Sequence, residues 1–392
     1  MKVAVASSGL GHIKRGIETW AFETAHALQK HGVDVTLFAA APLADSRVPT
    51  ITLPARKRNA PTTRFIAKIM PRWTWRWHLK SIYAIEQVSF WNHLKKHLRK
   101  QTFDILHVQD PLLAEMAQRY FMKKKLPCNC ILAHGTEEPA SCLRRFTYLQ
   151  HLAPWHLQQT LQILSRGSTP ELSFPYWTVL PNFVDTDVFC PVDSQSDKTT
   201  ARHLFQLPPD AIIWGTAAAI KRDHKRIDWL IQEFAAATKA NPDLFLVIAG
   251  SRHSDTEALI EMANQRALGK ISFMTDIPHA QMPRLLQTLD AFVLTSLFEM
   301  MPIAILEAIS AGLPVYTHPH PVLAWMSGAG GTQIDMDSSG ALQQCMEQDT
   351  LATLQTKGQK ARQHAMDMFS MKHVIPAYIA YYHQICEIQS RK

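Results

Sequence analysis

The residues best suited to chemistry are two glutamates in the stretch "EMMPIAILE", Glu299 and Glu307, which stand eight positions apart. The stretch predicts a loop that becomes a helix, with Glu299 before the helix and Glu307 more than one turn inside it, about 7 Å further along the axis. A carboxylate that accepts from a diol gains roughly 1.5–3 kcal/mol per hydrogen bond. The pair could therefore hold hydroxyl groups at both ends of an anionic ligand. On spacing alone, the favoured alternative is a solvent-facing pair in which Glu307 serves only helix propensity.

The segment around these acids predicts a place for an anion. In "LTSLFEMMPIAILEAISAGLPV" a buried strand ends near Ser296, and Pro302 suits the first helical position, where its missing N–H has no cost. The backbone N–H groups of the first turn would then be available, with roughly half a positive charge from the helix dipole. A phosphate there would leave one carboxylate on each side of it.

The elements that must position this segment repeat a strand, loop, helix, strand order. "KVAVAS", a Gly-containing loop, the helical pattern "ETWAFETAHALQKHG" and "VDVTLFAA" predict a parallel βαβ unit, and "FDILHVQD" and "CNCILAHG" predict further strands. After the proline-containing segment "TVLPNFVDTDVFCPV", the runs "IIWGTAAAI", "LFLVIAG", "KISFMTD" and "AFVLTS" alternate with helices in the same way. The sequence thus predicts an α/β protein of two doubly wound, Rossmann-like domains, 1–178 and 179–373, with a C-terminal helix, 374–392, that packs back on the first. Ligands of such sheets bind beyond the carboxyl ends of the strands.

Several segments resemble a known family when they are taken together and in order. The segment "FEMMPIAILEAISAGLPV" resembles a Glu-x7-Glu signature, and "RGIETWAFETAHALQKHGVDV" resembles a Gly-Gly-x-Glu helix with its following strand. The segments "ILAHG", "VLPNFVDTDVFCP", "HKRIDWLI" and "LVIAGS" fall in the matching order and spacing. The family is that of the retaining, family-4 type glycosyltransferases (glycosyl transferases group 1), which have the GT-B fold of two facing Rossmann-like domains. The resemblance implies transfer of a sugar from a nucleotide-diphosphate sugar to an acceptor hydroxyl, with retention of anomeric configuration.

The resemblance also implies roles for particular residues. Glu299 would contact the donor sugar, and Glu307 would hold the ribose diol. Lys225 would bind the diphosphate as a compact charge, and Gly16 would let the backbone approach a phosphate or the acceptor closely. His134 matches the histidine near the anomeric centre, in a loop that steadies the sugar as the glycosidic bond opens.

Three further donor-binding positions are predicted where the chain departs from the family pattern. The arginine that usually precedes the phosphate-binding lysine is absent, and Lys221 or Arg222 is expected to take its place. Met300 stands where the family usually has glycine after the first signature glutamate, and Met301 follows it. We expect both methionines beside the donor, with Met300 adding bulk that influences donor choice. The resemblance implies no metal ion and no cofactor. The basic stretch between residues 56 and 100 favours an acceptor used in glycan, glycolipid or cell-envelope polysaccharide synthesis, with a soluble acceptor as the alternative.

The net charge of +8 is concentrated between residues 56 and 100, where twelve Lys or Arg accompany a single acid, Glu86. Interleaved with this charge are aromatic residues that include Phe65, Trp73, Trp75, Trp77, Phe90 and Trp91. This mixture is typical of a surface that meets anionic lipid headgroups, where each basic residue contributes on the order of 1 kcal/mol. The alternative is a solvated helical face with its aromatics turned into the core. No nucleic-acid-binding motif accompanies the charge, so nucleic acid is not an expected partner.

Composition and motifs narrow the classes of protein to which the chain could belong. The chain has 392 residues and is 46% apolar, which suits a folded globular protein, and no run approaches the roughly 18 apolar residues of a membrane span. The opening "MKVAVASSG" has too short an apolar run for a secretory signal, so we expect the cytoplasm, with peripheral attachment to the inner face of its membrane. Cys128, Cys130, His134 and Cys142 are a weak zinc candidate, because C-x-C is not the usual C-x2-C spacing.

Two other functions stay open at this stage. A nicotinamide-dependent oxidoreductase would need G-x-G-x-x-G, of which "GLGHIK" supplies only two glycines. A membrane- or polyanion-binding protein with a vestigial catalytic cleft would account for the basic stretch, although it would leave the signature acids and Lys225 without a use.

Overall fold

The computed structural model describes residues 1–13, 15–43, 46–70, 81–166 and 174–390. The chain divides into two compact units, the first formed by Met1–Asn182 with the C-terminal segment from Val374 onward, and the second by Phe183–His373. Within the described ranges, no helix combines the length and apolar character that a membrane crossing requires.

The first unit contains a parallel sheet of seven strands. They are β1 (Lys2–Ser7), β2 (Asp34–Ala39), β3 (Thr50–Thr52), β4 (Ile105–Val108), β5 (Asn129–His134), β6 (Tyr148–His151) and β7 (Trp177–Val179). Their spatial order is β3-β2-β1-β4-β5-β6-β7, so the direction of winding reverses between β1 and β4. The described helices are α1 (Gly16–Lys30), α2 (Pro61–Ile69), α3 (Ile82–Lys100), α4 (Pro111–Lys124), α5 (Ala140–Leu143) and α6 (Pro154–Ser165).

The second unit contains a parallel sheet of six strands. They are β8 (Ile212–Ala217), β9 (Leu244–Gly250), β10 (Ile271–Thr275), β11 (Ala291–Leu294), β12 (Val315–Thr317) and β13 (Gly331–Gln333). Their order is β10-β9-β8-β11-β12-β13, so the winding reverses between β8 and β11. The described α-helices are α7 (Gln195–Leu204), α8 (Ile227–Ala240), α9 (Thr256–Arg266), α10 (Met282–Leu286), α11 (Ile303–Ser310), α12 (Pro321–Ser327), α13 (Ala341–Gln348) and α14 (Leu351–Met368).

The strands form where the sequence is continuously apolar rather than alternating. Val3, Ala4, Val5 and Ala6 of β1 are all fully buried, as are Ala291, Phe292 and Val293 of β11. Burial on both faces is what a parallel sheet covered by helices requires. Each unit thus has its own core, and the strand ends are left to carry polar groups.

The final helix, α15 (Met371–Ser390), contributes aromatic residues to the first unit. Tyr378 and Tyr382 are fully buried there. The Tyr382 hydroxyl lies 2.6 Å from Nδ1 of His107, and Nε2 of Gln150 donates to the Tyr378 hydroxyl at 2.6 Å. A buried tyrosine hydroxyl needs such a partner, so these contacts fix the register of the helix on the sheet.

The junction that carries the two signature acids differs slightly from expectation. Strand β11 ends at Leu294, two residues before Ser296, and α11 begins at Ile303 rather than at Pro302. Pro302 is the N-cap residue, with φ −70° and ψ 119°. The proline ring fixes φ near the helical value, but ψ stays extended, so the helix starts one residue later.

The predicted membrane-facing stretch is split by the structure. Phe90 and Trp91 of α3 are buried in the core, which corrects their assignment to a lipid surface, because they lie on the helix face that packs against the sheet and α4. Phe65 and Ile69 of α2 are 62% and 59% exposed. Residues 71–80, which include Trp73, Trp75 and Trp77, lie outside the described residues.

Candidate active site

A cluster of charged side chains in the second unit lies at the carboxyl ends of β8 and β11, where the winding of its sheet reverses. The loop after β8 carries His224 and Lys225, and the loop after β11 carries Glu299. His224 and Arg226 both have positive φ, 65° and 52°. Arg226 is held in this conformation because its guanidinium bonds to the Met336 carbonyl at 2.8 Å and pairs with Asp337 at 3.2 Å. The loop is thereby fixed, with the side chains of His224 and Lys225 directed at Glu299.

Lys225 and His224 converge on one oxygen of Glu299. The ammonium group of Lys225 forms an ion pair with Oε1 of Glu299, and Nε2 of His224 lies 3.1 Å from the same oxygen. The Thr295 hydroxyl donates to the Lys225 carbonyl at 2.5 Å and so ties the two loops together. The Glu299 side chain is 13% exposed and that of His224 is 37% exposed. The cluster is therefore built by the fold but still reaches solvent.

The electrostatic surroundings keep Glu299 ionised. Burial alone would raise its pKa, but the hydrogen bond from His224 and the charge of Lys225 outweigh burial and lower the pKa to about 2. An ionised carboxylate is an acceptor only, so Glu299 is prepared to receive hydrogen bonds from hydroxyl groups.

The second signature acid has a histidine partner of its own. Glu307 lies in the second turn of α11, and its Oε1 is 2.8 Å from Nε2 of His279, in the loop after β10. Glu307 is 6% exposed, whereas the His279 side chain is half exposed. The solvent-facing alternative for Glu307 is therefore wrong, because its side chain is buried and bonded.

Three other donor-binding predictions concern the same loops. Arg222 is exposed, and its backbone N–H bonds to Asp255 at 3.1 Å. Met300 is partly buried and Met301 is buried, both immediately before α11. Their positions beside Glu299 follow from the chain, and their part in donor binding stays a prediction.

The sequence interpretation missed His224 and His279. Neither stands in a repeating pattern, and each meets its acid from a different strand of the sheet. The only signal was their place after β8 and after β10, at the sheet edge where ligands of doubly wound folds bind.

The two predicted site residues of the first unit have different surroundings. Gly16 is the first residue of α1, is exposed, and a Cβ added to it would meet no atom within 4 Å. Nothing within the described chain therefore requires glycine there. His134 ends β5 and is only 5% exposed. The roles that the resemblance implies for both residues stay predictions.

His134 belongs to a group of three buried histidines. Its Nδ1 lies 3.2 Å from Nδ1 of His151, and its ring centre lies 6.0 Å from that of His156. Burial lowers the pKa of His134 to about 4, with a further contribution from His156, and lowers the pKa of His151 to about 2. Both rings are neutral at pH 7, so the bond between them uses one Nδ1 hydrogen.

The first unit also buries an ionic network that the sequence did not reveal, at the carboxyl ends of β1 and β4. The carboxylate of Asp110 accepts from the Ser8 backbone N–H at 2.8 Å, from the Ser8 hydroxyl at 3.1 Å and from the Tyr83 hydroxyl at 2.6 Å. Arg58 pairs with Glu86 at 2.5 Å and approaches Glu18 at 3.5 Å. Arg58 is thus a buried partner of acids, which removes it from the expected lipid-facing charges.

The candidate metal ligands do not assemble. Within the described ranges, no group of three or more His, Cys, Asp or Glu side chains could hold a metal ion. Cys128, Cys130 and Cys142 are free thiols, and burial raises the pKa of Cys128 and Cys130. These two thiols are therefore inert core residues rather than ligands.

Comparison with known families decides the class. The model described as "Glycosyl transferases group 1" matches residues 202–342, and the model described as "Glycosyltransferase Family 4" matches residues 14–170. The chain belongs to the group 1, family-4 type glycosyltransferases. The match over residues 202–342 contains Lys225, Glu299 and Glu307, and the match over residues 14–170 contains Gly16 and His134. The sequence-based assignment to this family is confirmed.

Individual relatives of this group 1 glycosyltransferase are distant. EpsF of Bacillus subtilis (strain 168), which is provisionally described as a glycosyltransferase, is 28% identical over 136 residues. That match covers 35% of the chain and about a third of EpsF, 34% of its length.

Solved structures show the fold. Sucrose-phosphate synthase from Thermosynechococcus elongatus is 16% identical with a TM-score of 0.77, and 98% of each chain is covered. Anabaena HepE in complex with UDP and glucose is 14% identical with a TM-score of 0.68, and both chains are covered completely. The prediction of a GT-B, α/β fold with two Rossmann-like domains is confirmed.

Proposed function

We propose that this protein transfers a sugar from a nucleoside-diphosphate sugar to an acceptor hydroxyl, with retention of anomeric configuration and without a metal ion. The observation that carries the proposal is the arrangement at the start of α11. One ionised acid, Glu299, lies before the helix beside Lys225 and His224, and a second, Glu307, lies buried in its second turn.

This arrangement suits a diphosphate with a hydroxyl-bearing group at each end. The first N–H groups of α11 have no acceptor within the helix, and the helix dipole favours an anion beside them. Lys225 supplies a full positive charge at the same edge of the sheet. The diphosphate competes with Glu299 for Lys225, and Glu299 then accepts from a hydroxyl of the donor sugar while His224 continues to hold it.

The proposed step breaks the bond between the anomeric carbon and the diphosphate oxygen and forms a bond from that carbon to the acceptor oxygen. The acceptor attacks on the face from which the diphosphate departs, and its proton passes to a departing phosphate oxygen. The leaving nucleoside diphosphate gains negative charge, which the helix N–H groups and Lys225 stabilise. The fixed loops mean that these groups need little reorganisation as the charge develops.

A panel of nucleotide sugars tests the proposal. A ligand that binds only the folded state raises the melting temperature, so UDP-, GDP- and ADP-sugars should be screened first by thermal shift. The structures of HepE with UDP and with UDP-glucose support starting from UDP-sugars. The sugar that stabilises the protein is then used to measure hydrolysis without acceptor and transfer to lipid-linked and soluble glycans.

Substitution of the two acids completes this test. We expect Glu299→Ala and Glu307→Ala each to lower the transfer rate by about a hundredfold or more, with the melting temperature nearly unchanged. Near-wild-type rates in both variants would remove the donor-binding hypothesis for these two acids. An inverted product, read by NMR of the anomeric proton, would contradict retention.

We also propose that α2 attaches the enzyme peripherally to an anionic membrane surface at the cytoplasmic face. Phe65 and Ile69 are exposed on a helix that also exposes Arg64 and Lys68. Apolar and basic side chains adjoining one another are the combination that binds anionic headgroups and the acyl boundary. A lipid-linked acceptor fits this location.

Vesicle sedimentation tests the membrane proposal. We expect salt-sensitive binding to phosphatidylglycerol vesicles, weakened several-fold by Phe65→Ser. Leu268→Ser is the matched control, because Leu268 is 81% exposed and belongs to the second unit rather than to residues 56–100. Equal affinity for neutral vesicles, or no binding to either kind, would overturn the proposal.

A further inference from the structure

Each signature acid is held by a histidine, but the two histidines act differently. His224 shares Oε1 of Glu299 with Lys225, so that carboxylate has a cation beside it. Glu307 is held by His279 alone among its hydrogen-bonded side chains within the described chain. The consequence of removing one histidine should therefore be larger at Glu307.

The contact between His279 and Glu307 fixes a hydrogen position. A carboxylate only accepts, so Nε2 of His279 carries a hydrogen and donates it to Oε1 at 2.8 Å. One of about four lone pairs of the carboxylate is then used, and Oε2 remains for other donors. Two adjacent hydroxyls of a ribose are a donor pair of the right kind for a carboxylate held in this way.

The loop that carries His279 is itself restrained. His279 begins the short 3-10 helix His279–Gln281, preceded by Pro278 and followed within α10 by Pro283. Asp276 has φ 56°, and its backbone N–H bonds to the Gly250 carbonyl at 2.9 Å. The imidazole thus comes from a fixed backbone rather than from a freely moving loop.

We propose that His279 is the positioning residue that orients Glu307 toward the ribose hydroxyls and so makes the enzyme selective for ribonucleotide over 2′-deoxyribonucleotide donors. This inference rests on the proposed function. A glutamate side chain has three rotatable bonds, and the bond from His279 settles its orientation before the ligand arrives. Ordering the acid in advance benefits only a ligand that offers both hydroxyls.

Paired nucleotides test this inference by calorimetric titration: UDP with dUDP, GDP with dGDP, and ADP with dADP. Wild-type protein should bind the ribose form of its preferred nucleotide at least about tenfold more tightly than the deoxy form. H279A and E307Q should lower that preference to about twofold, chiefly by weakening the ribose form. H279Q, which keeps an N–H donor, should restore part of it.

The matched control is H203A, because His203 is exposed on α7 and is not part of the site. It should bind both forms as the wild type does. If H279A weakens both forms equally, or keeps the full preference while E307Q loses it, the role of His279 is overturned and the proposed function stands. If E307Q also keeps the preference, if the wild type shows none, or if no nucleotide binds, the donor-binding proposal fails and this inference fails with it.

Discussion

The two units place acids at the same topological position and use them in opposite ways. In each sheet the winding reverses between two central strands, β1 and β4 in the first unit and β8 and β11 in the second. Asp110 follows β4 and is fully buried, with its oxygens bonded to Ser8 and Tyr83. Glu299 follows β11, reaches solvent, and is paired with Lys225.

The acids at the two strand ends, Asp110 and Glu299, have pKa values shifted in opposite directions. Burial raises the pKa of Asp110 and Glu18 in the first unit despite their hydrogen bonds and charged neighbours. In the second unit the partners of Glu299 outweigh burial, and its pKa falls to about 2. Buried acids with internal partners hold a fold together, whereas a partly exposed acid that shares a cation with a ligand can transfer its contacts to that ligand. Of these two topologically equivalent strand ends, the one that follows β11 is therefore the better suited to bind a ligand.

The largest expected difference between the two units is in the stability lost when the cation beside their acids is removed. Arg58→Ala removes the guanidinium that pairs with buried Glu86, whose remaining side-chain partners among the described residues are His12 and Ser8. We expect this change to lower the free energy of unfolding by about 3–5 kcal/mol. Lys225→Ala leaves Glu299 with His224 and with access to water, so its cost in stability should be about 1 kcal/mol or less. Urea unfolding at neutral pH measures both.

Activity should show the reverse order for these two variants. When assayed below its melting temperature, folded Arg58→Ala protein should keep most of its donor affinity, whereas Lys225→Ala should bind the donor about a hundredfold more weakly. Equal losses of stability in the two variants would contradict this difference, because the acids paired with Arg58 and with Lys225 would then contribute equally to folding.

Lowering the pH is expected to have an intermediate effect on the free energy of unfolding. His107 of β4 is fully buried among Trp20, Tyr378 and Tyr382, and burial lowers its pKa to about 3. Below about pH 6.5 the unfolded chain binds a proton at this histidine that the folded chain does not, so stability falls as the pH falls. Between pH 7 and pH 5 the loss is about 2 kcal/mol.

The variant His107→Gln isolates this contribution, because it removes the titrating group and keeps a hydrogen-bonding side chain. Its stability relative to wild type should improve by about 2 kcal/mol as the pH falls from 7 to 5. Glu299 does not contribute in that window, since a carboxylate with a lowered pKa loses its stabilisation only below about pH 4.3, where the unfolded chain takes up the proton. A Glu299→Gln variant should therefore show no such change in stability relative to wild type. If both variants gained stability relative to wild type between pH 7 and pH 5, the assignment of this pH dependence to His107 would be wrong.

The sequence predicts more of the fold than of the candidate site. Continuous apolar runs and the βαβ order indicate the sheets, and the spacing of Glu299 and Glu307 around a proline indicates the junction. The sequence could not show that Arg58 is buried against Glu86, because the two residues stand 28 positions apart in separate elements. It could not show that Phe90 and Trp91 face inward while Phe65 faces solvent, since a basic helix with aromatics fits either surface.

The smallest expected effect concerns Gly16, on which the first unit's predicted contact with donor or acceptor depends. Gly16→Ala adds a Cβ that meets no atom within 4 Å at an exposed helical position, and alanine is the better helix former. We expect the free energy of unfolding to rise by up to about 1 kcal/mol, because the unfolded chain loses freedom. If a phosphate or an acceptor approaches this backbone, the same methyl group lowers the transfer rate. A variant that is more stable and fully active would show that no ligand comes close to Gly16, and His134 would then be the remaining predicted contact of the first unit.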